Sequence, residues 1–237
     1  DSESDKVTMV DWNNSWTKFT RSRDIFQTIA AVNATGNNAE YHSTDVADPE
    51  GIANAVNGRK ITGIVHGAGL EESKLVGDKE WDMFDRIVRV KIDGWKALAS
   101  SAGESLRFAC AFTSVAGRFG NGGQTDYAAA NSILDAEMAR LTASGNCRAV
   151  AIGWTGWRDV GMATRGSIEA VFEAAGIQTL PVELGVQIFV DEVLMGGKRR
   201  VIGCGSLGLM DRFDSFREAP LRLPADMAAA IADPRRF

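Results

Sequence analysis

The chain has 237 residues, 45% hydrophobic and 24% charged, which suits one substantial core and excludes two full-sized domains. Its 26 Lys and Arg against 31 Asp and Glu leave a net charge of -5, which excludes a generally basic nucleic-acid binder. No apolar run approaches the ~20 residues that cross a bilayer, so neither nucleic acid nor membrane is an expected partner and a cytoplasmic location is expected.

Residues 1–21 open with Asp-Ser-Glu-Ser-Asp-Lys, neither a Met start nor a signal peptide, and are expected to be a remnant or junction segment cut from something longer. Residues 23–35 place Ile25, Ile29 and Val32 at helical spacing, and Gly36 follows as a stop. Residues 43–46 predict a short extended run, ended by a turn at Asp48-Pro49. Residues 61–66 form a compact β-branched strand closed by Gly67-Ala68-Gly69. A long amphipathic helix is predicted over 79–101 from Phe84, Ile87, Val88, Ile92 and Trp95. Then come a buried strand at 106–112, a helix at 126–143 and a short strand at 149–152. Helices near 167–175 and 182–195 and a last strand around 199–204 complete the pattern, with Lys198, Arg199 and Arg200 as a solvated turn.

Alternating strands and helices with continuously apolar strands predict one α/β domain, a doubly wound parallel sheet covered on both faces, over residues 22–210. Residues 211–237 read as a tail or onward connection. In such sheets ligands bind outside the carboxyl ends of the strands. Asp45-Val46, Gly67-Ala68-Gly69 and Thr113-Ser114 all fall there and outline one crevice.

The chemistry is concentrated in two hydroxyls. Ser114 stands at a strand end, and Tyr127 follows thirteen residues later on the next helix. Both can converge on one substrate oxygen, Ser114 donating a hydrogen bond and Tyr127 a proton as that oxygen becomes an alkoxide. A free phenol ionises near pH ~10, so a tyrosine in this role calls for a nearby ammonium that stabilises phenolate. With two histidines in the chain, His66 reads as a satisfied strand-end residue without chemistry. Cysteines 110, 147 and 204 have no metal-ligand or disulfide spacing, and no metal is expected. Trp12 and Trp16 are expected as packing residues.

This Ser and Tyr spacing resembles the short-chain dehydrogenase/reductase superfamily, whose usual pattern carries Lys four residues after the Tyr. Asn131 stands there instead, and Val90-Lys91-Ile92-Asp93-Gly94 offers a lysine from the neighbouring helix. That exchange resembles the ketoreductase domains of polyketide and polyunsaturated fatty acid synthases. The segments 65–69, 112–114, 120–131, 154–157 and 159–162 match the same subfamily, and residues 23–41 lean towards the polyunsaturated type. The resemblance implies a Rossmann-like fold and NADPH-dependent reduction of a 3-oxoacyl thioester, carried on phosphopantetheine by acyl carrier protein among other synthase domains. It implies Ser114, Tyr127, Lys91 and Asn131 as catalytic residues. Cofactor contacts would come from Asp45, Val46, Gly67, Ala68, Gly69, Lys91, Tyr127, Trp154 and Thr155, with residues 154–166 and the helix after them as lid. For Asp45-Val46 a helix N-cap is an equal alternative.

One departure matters. Family members begin with a strand, a glycine-rich phosphate-binding turn and a helix, whereas the first glycine here is Gly36. The expectation is that a stretch is omitted, or that a chain with this N-terminus binds dinucleotide weakly. Two alternatives stand beside the synthase reading: a free-standing reductase of a small ketone, and a catalytically silent structural subdomain. Two markers of product configuration also follow from the resemblance. The Trp that one type carries eight residues before the Tyr is replaced by Phe119, while Leu70-Glu71-Glu72 stands where the other type carries Leu-Asp-Asp, which implies the D-configured alcohol.

Overall fold

The computed structural model describes residues 9–164, 168–196 and 200–208. The expectations for residues 1–8 and 209–237, for Lys198 and Arg199, and for residues 165 and 166 of the lid lie outside them. The chain divides into two compact units between Thr44 and Asp45.

The first unit contains one long helix, α1 (Met9–Ala34). It begins well before residue 23, where the apolar periodicity starts, because helix needs no apolar stripe to continue through polar sequence. Thr17, Thr20 and Thr28 donate their hydroxyls to the carbonyls of Asn13, Trp16 and Asp24 one turn back. Trp12 and Trp16 stand 59% and 54% exposed, with the Trp16 ring against Phe19 at 5.8 Å between centroids. Residues 37–48 form no strand, and the extended run predicted at 43–46 has no ladder partner among the described residues.

The second unit opens with α2 (Pro49–Val56). Asp48 and Pro49, predicted as a turn, are instead its N-cap and first residue. The Asp48 carboxylate accepts from Glu50 N at 3.1 Å, and proline gives up nothing where an N–H would lack a helical partner. There follow β1 (Gly63–His66), α3 (Trp81–Ala102), β2 (Phe108–Ser114), α4 (Val115–Phe119) and α5 (Thr125–Ala143). Then come β3 (Arg148–Trp154), α6 (Ile168–Ala174), α7 (Val182–Leu194) and β4 (Arg200–Gly203). The strands lie in the order β1-β2-β3-β4, each parallel to its neighbour. The predicted doubly wound, Rossmann-like sheet is what forms.

Strand alternation sends two different surfaces to the two layers. Ala109, Ala111, Ala149 and Ala151 pack with Ile92, Trp95, Leu134 and Met138 of α3 and α5. Cys110, Val150 and Ile152 point the other way, into a cluster with Phe112, Ile188, Phe189 and Val201 under α7. Burial on both faces fails at β1. Val65 is 51% exposed, because the layer under α7 draws only on β2, β3 and β4. All four strands run the same way, so His66, Ser114, Trp154 and Gly203 end them on one side. That side holds the site.

Candidate active site

Ser114 is both the last residue of β2 and the N-cap of α4, where its hydroxyl accepts from Ala116 N at 3.1 Å. The cap is a local demand that leaves the hydroxyl proton available for a second partner. Tyr127, in the first turn of α5, is buried among Ile87, Val115, Ala116 and Leu207. Burial pushes its phenol above the ordinary value, against which side-chain hydrogen bonds with Ser114 and Asn131 pull downward, while Glu71 adds to the rise. The downward pull sets the Ser114 hydroxyl near the Tyr127 phenol. The lowering expected from Lys91 is not what sets this phenol; burial is.

Asn131 lies one turn further along α5, and its amide donates to the Tyr127 carbonyl at 2.7 Å. Its own carbonyl oxygen is buried without a partner. Gly117 of α4 makes this approach possible, since a Cβ there would lie 2.9 Å from the Asn131 Cβ. Lys91 of α3 is buried, and its ammonium donates to the Phe112 carbonyl at 2.6 Å. Burial lowers it to about 8. Gly69 closes over it: a Cβ at that glycine would sit 3.0 Å from Lys91 Cε.

His66 ends β1, buried, with Nε2 against the Lys91 carbonyl at 2.9 Å. Burial, then the Lys91 charge, lowers its ring from 6.5 to about 4, against the upward pull of that hydrogen bond. The ring stays neutral where the unfolded chain would bind a proton. Its contribution to stability is therefore whole above pH 6.5 and lost as pH falls towards 4. In that window wild type should lose on the order of 3 kcal/mol that a His66→Gln variant does not lose. Urea melts of both proteins at several pH values across it will show parallel losses if His66 is not the sensor.

The remaining residues implied by the resemblance lie at or after the ends of the strands, or before α2. The Asp45 carboxylate accepts from Ala47 N at 2.9 Å, closing a turn; the N-cap of α2 is Asp48, so that alternative for Asp45 falls away. Val46 rests on α3 at Gly94, whose absent Cβ would meet its methyl at 2.9 Å. Gly67, Ala68 and Gly69 form the turn after β1, with Gly67 against the Phe112 ring. Trp154 points into the layer under α7, edge-on to Phe112 and Trp157, with its indole N–H buried and unpartnered. Thr155 hydrogen-bonds the Gln178 carbonyl at 3.3 Å and, through its backbone N–H, Gly203 at 3.0 Å. Arg200 is no solvated turn: it pairs with the buried carboxylate of Asp135 at 3.0 Å.

Sequence reasoning missed three contributors. Gln124 donates to the Glu71 carboxylate at 3.0 Å, and Lys79 forms a buried ion pair with Asp126 at 2.8 Å. Neither pair is local in sequence, and charged residues in a turn carry no periodic signal. The position of Asp126 directly before Tyr127 was the one available hint. Among the described residues no cluster of three or more His, Cys, Asp or Glu could hold a metal, and no helix is long and apolar enough to cross a membrane.

Lys91 fits the nicotinamide-ribose end of a dinucleotide: its buried ammonium lies against Gly69, whose missing side chain permits close approach, and α5 adds a phenol and an unpartnered amide oxygen that can accept. Among the described residues, α1 and α2 precede β1.

The family model of the KR domain matches residues 17–159. The chain belongs to the ketoreductase (KR) domain family. Among curated relatives, this ketoreductase is 31% identical over 194 residues to a polyunsaturated fatty acid synthase polypeptide of Thraustochytrium sp.. That match covers 78% of this chain and 7% of the relative. It is 28% identical to polyketide synthase PksM of Bacillus subtilis, covering 84% of this chain and 5% of that protein. Among solved structures it superimposes with a TM-score of 0.68 and 26% identity on a ketoreductase domain from the bacillaene assembly line. There the match covers 80% of this chain and 48% of the other. The ketoreductase chain thus spans less than a tenth of these two curated relatives, both of which are synthases. The family is one of oxidoreductases with the short-chain dehydrogenase fold.

Proposed function

We propose that this ketoreductase reduces a 3-oxoacyl thioester, held on acyl carrier protein by phosphopantetheine, to the 3-hydroxyacyl thioester within a polyketide or polyunsaturated fatty acid synthase, using NADPH. The observation that supports the reading is the buried Tyr127 phenol with Ser114 acting on it, Asn131 bonded one turn on and Lys91 buried on the neighbouring helix. A silent structural subdomain has no need of a buried ammonium, whose desolvation is costly. NADPH, when bound, supplies the hydride for the β-carbonyl carbon. Ser114 donates a hydrogen bond to the carbonyl oxygen, and Tyr127 delivers its proton as that oxygen becomes an alkoxide. A phenol held protonated at neutral pH by burial is the donor that reduction needs. The phenolate left behind is stabilised by Lys91 and regains its proton through a solvent molecule held at the partnerless Asn131 oxygen. Gly67, Ala68 and Gly69 would border the nicotinamide ribose with Lys91 and Tyr127, Trp154 and Thr155 would close the far side, and Asp45 and Val46 would meet the adenine. The test is incubation of a simple 3-oxoacyl thioester with NADPH and the protein in its full-length polypeptide. Formation of the 3-hydroxyacyl thioester supports the reading; intact ketone beside folded protein rejects it.

The product is expected to be the D-configured alcohol. The bond from Gln124, the N-cap of α5, to Glu71, whose charge acts on Tyr127, supports an acidic turn at the mouth of the site. A substrate guided past that turn presents one ketone face. Chiral chromatography decides it, and a predominantly L-configured product overturns the argument.

A further inference from the structure

The carboxylate beside Tyr127 is sealed. Lys79 and Asp126 lie 2.8 Å apart with side chains 8% and 1% exposed. Lys79 follows the 3-10 turn Val76–Asp78 and also donates to the Glu72 carbonyl at 3.1 Å. Asp126 accepts from the Tyr127 N–H at 2.8 Å with one oxygen, and its other oxygen is buried without a partner. Three further bonds join the same segments: Lys74 N–H to the Gly123 carbonyl at 3.0 Å, and the Gln124 amide to the Glu71 carboxylate at 3.0 Å and to the Ser73 hydroxyl at 3.3 Å. The strand-to-helix segment 71–79 is therefore fastened by four contacts to residues 123–126.

A buried ion pair is a poor device for stability, because desolvating two charges offsets most of their attraction. An apolar pair of similar volume would hold the same two segments together as well or better. What the charges add is direction. A carboxylate that accepts from the first turn of a helix while gripped by an ammonium fixes where that turn begins and how it is rotated. Tyr127 is the next residue, and its hydroxyl must reach Ser114 across a gap set by that rotation. We propose that Lys79 and Asp126 are positioning residues, whose ion pair sets the first turn of α5 so that the Tyr127 phenol meets Ser114 and the incoming ketone. This rests on the ketone-reduction reading for its catalytic half.

The test separates direction from stability. The double variant Lys79→Met with Asp126→Asn removes both charges and leaves no buried ion. It is expected to match wild type in thermal stability while kcat falls by at least about tenfold and KM changes little, as a misplaced acid implies. Lys79→Arg keeps the pair and should keep kcat. A second readout needs no turnover. The chain has two tyrosines, Tyr41 and Tyr127, so fluorotyrosine labelling gives two fluorine resonances, assigned with Tyr41→Phe. The Tyr127 resonance should shift or broaden in the double variant and hold in Lys79→Arg. A stable double variant with wild-type kcat, or with an unmoved Tyr127 resonance, overturns the proposal. If the neutral pair does not fold, Lys79→Met alone carries the same two readouts, since a buried carboxyl left without its ammonium takes up a proton and still accepts from the Tyr127 N–H. Should wild type reduce no ketone, the functional reading fails, and the fluorine spectrum still decides the positioning.

Discussion

Tyr127→Phe is expected to cut ketone reduction by at least ~10²-fold while leaving cofactor affinity and fold close to wild type. The change removes one oxygen from a ring buried among Ile87, Val115 and Leu207, so packing is kept and no cavity of consequence opens. Ser114 loses its phenolic partner but keeps the Ala116 N–H, so the strand end remains capped. What disappears is the group that protonates the alkoxide. Steady-state kinetics and fluorescence titration with NADPH separate the two effects. Near-wild-type turnover in the variant would remove Tyr127 from the mechanism.

Lys91→Met should act on activity and stability in opposite directions. Burial lowers the Lys91 ammonium to about 8, from 10.5 in the unfolded chain. Between those values the unfolded state binds the proton and the folded state does not, so wild-type stability rises with pH across that interval. Below it the folded chain carries a desolvated charge that costs on the order of 3 kcal/mol. Lys91→Met keeps the length of the side chain and drops the charge. It should be more stable than wild type at pH 7, give or take about 1 kcal/mol for the lost bond to the Phe112 carbonyl, and show no rise between about pH 8 and 10. Turnover should nevertheless fall by about two orders of magnitude, with weaker cofactor binding, because no ammonium remains to stabilise phenolate. Urea melts at pH 7 and pH 10 measure the first half and kinetics the second. If Lys91→Met retains turnover while Lys96→Ala loses it, the helix has been assigned the wrong lysine.

The sheet and its long helices were legible because they write themselves locally. The Ala109 to Phe112 run supplies the apolar residues that both layers require, and α3 carries apolar residues at helical spacing, while α5 buries Asp126, Asn131 and Asp135 among its apolar residues. Boundaries held where a cap or a glycine marked them. Asp48-Pro49 misleads because the same dipeptide opens a turn and begins a helix; only the packing of the residues that follow decides between them. The one-turn helix α4 was too short for any periodic signal. In the site, Ser114 and Tyr127 could be singled out from a strand end and the helix after it, while Asn131 and Lys91 were pointed to by the family resemblance. The setting of the Tyr127 phenol could not be read. It depends on burial, and on Glu71, which approaches through a loop. Composition carries no record of such meetings.

The sheet is not the same thickness on its two sides. Four alanines line the layer beneath α3 and α5, while Phe112, Val150 and Ile152 fill the layer beneath α7. Methyl groups let the two helices that bear Lys91, Tyr127 and Asn131 settle close to the strands, which is how a side chain as short as Ser114 comes within reach of a phenol on a separate helix. Those alanines act as a gauge for the width of the reaction chamber. A bulkier residue at Ala111 or Ala151 would lift a whole helix and spread the chamber from below, disarming the chemistry with every reactive group still in place.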